Sequence, residues 1–118
     1  MTIEQGALKA YLEDAADRVR NIETRAAAAL KTQGQAAYEE AMREKAELLA
    51  GLSGDAGGRF PDLDEPLAAR LRRFSASARR SLDIGSVFFM SALLYPEDYR
   101  EGEPNDLERF AGELGDAG

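Results

Sequence analysis

Cysteine, histidine and tryptophan are all missing from this chain of 118 residues, and the first two absences narrow its chemistry. Without cysteine the chain forms no disulfide and offers no thiolate as nucleophile or metal ligand. Without histidine it lacks the most frequent general base near neutral pH and the commonest ligand of transition metals. We therefore expect a protein that is not an enzyme, with no catalytic residue, no metal site and no cofactor.

Long apolar stretches are scarce as well. The most apolar stretch, residues 84 to 95, covers about a dozen residues, whereas a membrane-spanning helix needs roughly 20. The first residues are acidic where a signal peptide would be basic. These features predict a cytoplasmic protein with no membrane partner. The excess of arginine over lysine and the abundance of alanine and glycine agree with a bacterial chain of GC-rich coding.

Negative charge is concentrated at the carboxyl-terminal end of the chain. The formal net charge is −7, and residues 96 to 118 contribute −6 of it, with two arginines against eight acidic residues. We therefore divide the chain into a helical core, residues 1 to 95, and an acidic tail, residues 96 to 118. Such a tail either keeps the protein in solution or engages a basic partner.

Two helices are predicted before residue 53. Thr2 and Gln5 form a capping signal, and apolar residues then alternate at spacings of four and three, which predicts a helix over residues 3 to 31. Gly34 predicts a break, because glycine is unfavourable inside a helix, and a second helix follows over residues 35 to 52. One uninterrupted helix from 3 to 52 is the alternative.

Residues 51 to 63 hold four glycines and a proline, which predict a flexible connector. These glycines do not have the spacing of a phosphate-binding loop.

A third long helix is predicted from Asp64, its N-cap, to Tyr95, where Pro96 would end it. A short fourth helix over residues 106 to 114 begins with the capping pair Asn105 and Glu108. The sequence therefore predicts an all-α fold, an up-down bundle of three main helices plus a short carboxyl-terminal helix.

The third predicted helix gains a second apolar side partway along. In its first half that side carries arginines, and in its second half it carries large apolar residues. The tail helix has an apolar stripe that could cover this side. The candidate interface residues are Val87, Phe89, Met90, Leu94, Leu107, Phe110 and Leu114. The chain's own tail, a second subunit in a homodimer, a tail exchanged between subunits, and a foreign helix are the alternative covers.

The arginines of the third predicted helix form a candidate anion-binding set: Arg72, Arg73, Arg79 and Arg80. The overall negative charge and the lack of aromatic residues among them argue against nucleic acid as a partner. Acidic residues near the start of the first helix could neutralise them instead.

Taken together, these patterns predict a non-catalytic protein-interaction or oligomerisation module with a protein partner, which could be a second copy. The alternative is a sensor of a small ligand, with a pocket between the first and third helices near Phe88, Phe89 and Tyr95. A sensor would need a cavity with convergent polar groups.

Overall fold

A computed structural model describes residues 3–116, with the side chains of residues 5–114. The regular secondary structure of this part of the chain consists of helices, without a strand, which confirms the predicted all-α class. Its helices are α1 (Ile3–Thr32), α2 (Gln35–Ala50), α3 (Leu52–Arg59), α4 (Glu65–Ile84), α5 (Val87–Ala92) and α6 (Asp106–Asp116). The predicted capping residue Thr2 lies outside the described residues.

Gly34 separates α1 from α2, as its position in the sequence predicts. Its φ of 98° lies in the left-handed region that favours glycine, and Gly34 is the N-cap residue of α2. The alternative of one continuous helix from residue 3 to residue 52 is therefore wrong.

The predicted connector contains a helix, α3, so the expectation of an unstructured loop is wrong. Leu52 and Ala56 lie one turn apart on this helix, and both are buried. Helix α3 packs against α4, where buried Ser75 accepts a hydrogen bond from the Ser53 backbone N–H and donates one to the Leu49 carbonyl, both at 2.9 Å. Packing and these shared hydrogen bonds stabilise a segment whose glycines disfavour a helix in isolation.

The predicted helix from residue 64 to residue 95 is also wrong, because α4 ends at Ile84. Gly85 adopts a left-handed conformation with φ of 74°, and its N–H bonds to the Leu82 carbonyl at 3.1 Å. The Ser86 N–H bonds to the Ser81 carbonyl at 3.2 Å, which completes a Schellman motif. The Ser86 hydroxyl then accepts from the Phe89 N–H at 3.1 Å and caps the new helix α5.

The contacts divide the described chain into two units. One combines residues up to Arg18 with those from Leu94 onward, and the other is Val19–Leu93. In the first unit α6 begins with the predicted capping box: Glu108 N–H bonds to the Asn105 side-chain oxygen at 2.9 Å, and Asn105 N–H bonds to the Glu108 carboxylate at 2.8 Å. In the second unit, α2, α3, α4 and α5 pack together around a core that includes Ala26 of α1.

The break at Gly85 can be tested by whether one substitution raises or lowers the free energy of unfolding. A Cβ built on Gly85 meets nothing within 4 Å, so Gly85→Ala changes only the backbone preference. In the left-handed conformation alanine should lower the free energy of unfolding by about 1–2 kcal/mol, measured by urea denaturation. Gly57→Ala is the matched control, because Gly57 lies inside α3 with equal space, and it should raise stability by roughly 0.5–1 kcal/mol. If Gly85→Ala were stabilising too, the helix would be continuous.

Candidate interaction surface

Part of the apolar run after Gly85 points into the core of the second unit. Met90 is fully buried, in a cluster with Ala26, Met42 and Ala46. Val87 and Leu93 are partly buried and pack against the same cluster. These residues of the run are therefore covered within their own unit.

The apolar residues of the tail are buried in the first unit. Leu107, Phe110 and Leu114 of α6 are at most 4% exposed, and Leu94 is 7% exposed. The Leu94 backbone has a φ of 76°, unusual for a residue other than glycine, and its carbonyl accepts a hydrogen bond of 3.0 Å from the Asp106 N–H. Of the seven candidate interface residues, only Phe89 is exposed. The single face that a continuous helix would create is not present.

Three large apolar side chains do remain exposed, at the corner between α4 and α5. Ile84 is 58% exposed, Phe88 74% and Phe89 47%, and the two phenylalanine rings lie 5.9 Å apart between centroids. Helical geometry explains this arrangement, because Phe89 and Phe88 lie about 100° and 200° around α5 from the buried Met90. We call Ile84, Phe88 and Phe89 the corner patch.

The sequence prediction missed Ile84 and Phe88 as members of an exposed surface. The signal that could have found them is the Gly85–Ser86 pair, which combines a typical helix C-cap residue with a typical N-cap residue. Placing a helix boundary there changes the direction of every following side chain.

Buried Lys45 links α5 to α1 and α2 within the second unit. Its side chain, on α2, has no exposed area, and its Nζ lies 3.0 Å from the Glu23 carboxylate of α1. The same ammonium group donates a 2.9 Å hydrogen bond to the Ser91 carbonyl in the last turn of α5. Burial lowers the pKa of Lys45, the charge and hydrogen bond of Glu23 oppose that shift, and Arg20 adds to it.

Lys45 was also missed by the sequence prediction, although its spacing carries a signal. With Met42, Ala46 and Leu49 it forms an i, i+3, i+4, i+7 set, so a lysine lies on the buried stripe of α2. A charged residue at such a position requires a buried partner.

The four arginines of the candidate anion-binding set lie exposed on α4. Arg72 forms an ion pair with Glu65, and no ion pair of Arg73, Arg79 or Arg80 is found among the described residues. Glu13 and Asp14, two of the acids proposed to neutralise them, pair instead with Lys9 and Arg18 of α1, at 3.8 and 3.1 Å.

Two of the surface grooves have a lining made of described side chains. One, of about 680 Å³, lies between α1 and α2, and the other, of about 440 Å³, lies between α1 and α6 in the first unit. Neither is lined by Phe88, Phe89 or Tyr95, and the Tyr95 ring instead meets the Tyr99 ring at 4.7 Å. The pocket proposed for a ligand sensor therefore does not coincide with either groove.

Comparison with known proteins found no matching protein family, no matching curated protein and no matching solved structure. Within the described residues, no helix is both long and apolar enough to span a membrane. That part of the chain also contains no cluster of three or more acidic residues arranged to hold a metal ion.

Replacing Lys45 should show how far the corner depends on this contact. Lys45→Met keeps an apolar stem of similar length but leaves the Ser91 carbonyl and the Glu23 carboxylate without the ammonium group. We expect the free energy of unfolding at pH 7 to fall by about 1–3 kcal/mol, measured by urea denaturation. Lys31→Met, at an exposed position on α1, is the control and should change it by less than about 0.5 kcal/mol.

The pH dependence of the same pair checks the lowered pKa of Lys45. Between its native pKa and its unfolded value of about 10.4, the unfolded chain binds more protons than the native one. The free energy of unfolding of the wild type should therefore rise relative to that of Lys45→Met as the pH increases through this interval. A constant difference between the two proteins up to pH 10 would contradict a lowered pKa.

Proposed function

We propose that this chain is a non-catalytic protein-interaction module and that the corner patch is its contact surface. The observation that carries the proposal is the exposure of three large apolar side chains between positions 84 and 89, on a helix junction held by hydrogen bonds. Burying the exposed remainder of all three offers at most roughly 3–5 kcal/mol to a complex. Large apolar side chains that are exposed next to one another, as the two phenylalanine rings are, mark candidate protein-binding sites.

The backbone that carries the patch supports the proposal. Gly85 and Ser86 define the junction through the Schellman motif and the N-cap, and Lys45 binds the end of α5. Because these contacts already order the backbone, a partner needs to restrict only the side chains of the patch, and phenylalanine has only two rotatable side-chain bonds. Aromatic side chains such as this pair are enriched in the cores of protein interfaces.

Photo-crosslinking at position 88 tests the proposal. Replacing Phe88 by benzoylphenylalanine keeps an aromatic ring at the patch, and illumination in the protein's native cells should yield discrete crosslinked species. The same replacement of Leu30, which is 43% exposed on α1, is the control and should not yield these species. Adding Phe89→Ser to the position-88 variant should remove them. Identical products from both positions, or none from position 88, would contradict the proposal.

A folding control keeps that result interpretable. Because Phe88 is 74% exposed, Phe88→Ser should change the free energy of unfolding by no more than about 0.5 kcal/mol. A larger loss of stability would mean that the side chain is packed in the folded chain and is not available to a partner.

A further inference from the structure

The groove between α1 and α2 is lined by four alanines and three glutamates, together with Arg25, Thr32 and Gln33. Ala28, Ala29, Ala37 and Ala41 lie along it, and three exposed glutamates of α2 border it at positions 40, 44 and 47. Glu44 is paired with Arg25 at 3.0 Å. Glu40 and Glu47 have no ion pair among the described residues. We call this site the alanine groove.

The exposed side of α4 offers the opposite charge at the same spacing. Arg73 and Arg80 are seven residues apart on α4, and Glu40 and Glu47 are seven residues apart on α2. Both pairs are therefore separated by about 10.5 Å along their helix axes. Continuing by i+4 from Arg80 leads to Ile84, so the two arginines share an exposed stripe with the start of the corner patch.

Two surfaces of the same unit are thus complementary in charge, in spacing and in shape. The arginine stripe lies on the convex exposed side of a helix, whereas the alanine groove is a depression in which four alanines let another helix approach closely. Each surface has charges without an ion pair in the described chain, and each is supplied by residues 19–93. This complementarity favours a second copy of the chain over an unrelated partner.

We propose that α4 and the corner patch of one copy dock in the alanine groove of a second copy. Helix α4 then runs antiparallel to α2 of the second copy, with Arg73 opposite Glu47 and Arg80 opposite Glu40. In this alignment Ile84, one turn past Arg80, lies beside Ala37, so the corner patch meets the end of the groove. This inference rests on the proposed function and names its partner. Each copy carries both α4 with its corner patch and an alanine groove. Two copies can therefore dock into each other and close a two-fold dimer, or each copy can dock into the next and form a chain of copies. At physiological salt, the repulsion between two acidic molecules is screened beyond about 8 Å, whereas opposed charges in contact are screened much less.

Charge reversal with complementation tests this docking. Sedimentation equilibrium of the full wild-type chain should show association that weakens as salt is raised. Arg73→Glu with Arg80→Glu, and separately Glu40→Lys with Glu47→Lys, should each weaken it by at least about tenfold, because like charges then face each other. An equimolar mixture of the two variants should restore association to within about threefold of the wild type, because every contact in a mixed pair again joins opposite charges.

A matched variant separates this specific effect from a change in net charge. Arg18→Glu with Arg100→Glu reverses two exposed arginines of the other unit and changes the net charge by the same amount as the reversal of Arg73 and Arg80. It should leave the association within about twofold of the wild type after correction for salt. Circular dichroism and thermal unfolding of each variant confirm that it is folded.

The outcomes distinguish this inference from the proposed function. A wild-type chain that stays monomeric, or association that neither reversal weakens and the mixture does not restore, would overturn docking between copies. If position 88 still forms crosslinks in cells in that case, the corner patch binds a different protein. Failure of the crosslinking as well would remove the proposed function itself.

Discussion

The left-handed backbone of Gly85 determines how the carboxyl-terminal half of the second unit is arranged. With φ at 74° the chain leaves the axis of α4, and the Ser86 N-cap starts α5 in a new direction. Met90 can then enter the core while Phe88 and Phe89 turn outward. In a continuous helix the side chains after residue 84 would have stayed in register with the arginines of α4. The exposed corner is therefore a consequence of where the helix ends.

Lys45 maintains this arrangement from the other side. A short helix such as α5 has few hydrogen bonds of its own, and the ammonium group satisfies a carbonyl in its last turn while Glu23 balances the charge. An unpaired lysine at this depth would be strongly unfavourable, so the three groups depend on one another. This mutual dependence explains why a charged residue occupies the apolar stripe of α2. It also links the position of α5 to α1 and α2, the two helices that form the alanine groove.

Local signals in the sequence predicted those boundaries that one residue decides. Gly34 separates α1 from α2, and Asn105 with Glu108 starts α6, because a glycine or a capping pair acts within one turn. The helix α3 was missed because its stability comes from Leu52, Ala56 and the hydrogen bonds of Ser75, which is distant in sequence. The break at Gly85 was missed because the apolar residues around it fit a helix when their spacing is considered without the glycine. The candidate surface consequently included Phe89 but left out the exposed Ile84 and Phe88, and its other members are buried or half-buried.

If the corner patch is a contact surface, the phenylalanine rings of the corner face solvent in the free chain and are covered only when a partner binds. Paramagnetic relaxation of their ring protons by a soluble nitroxide measures this directly. In dilute protein the rings of Phe88 and Phe89 should relax strongly, whereas the methyl group of Met90 should be protected. Addition of a partner, or an increase in protein concentration if the partner is a second copy, should protect the rings as well. Rings that are already protected in the dilute monomer would show that the chain covers its own corner and would contradict the account.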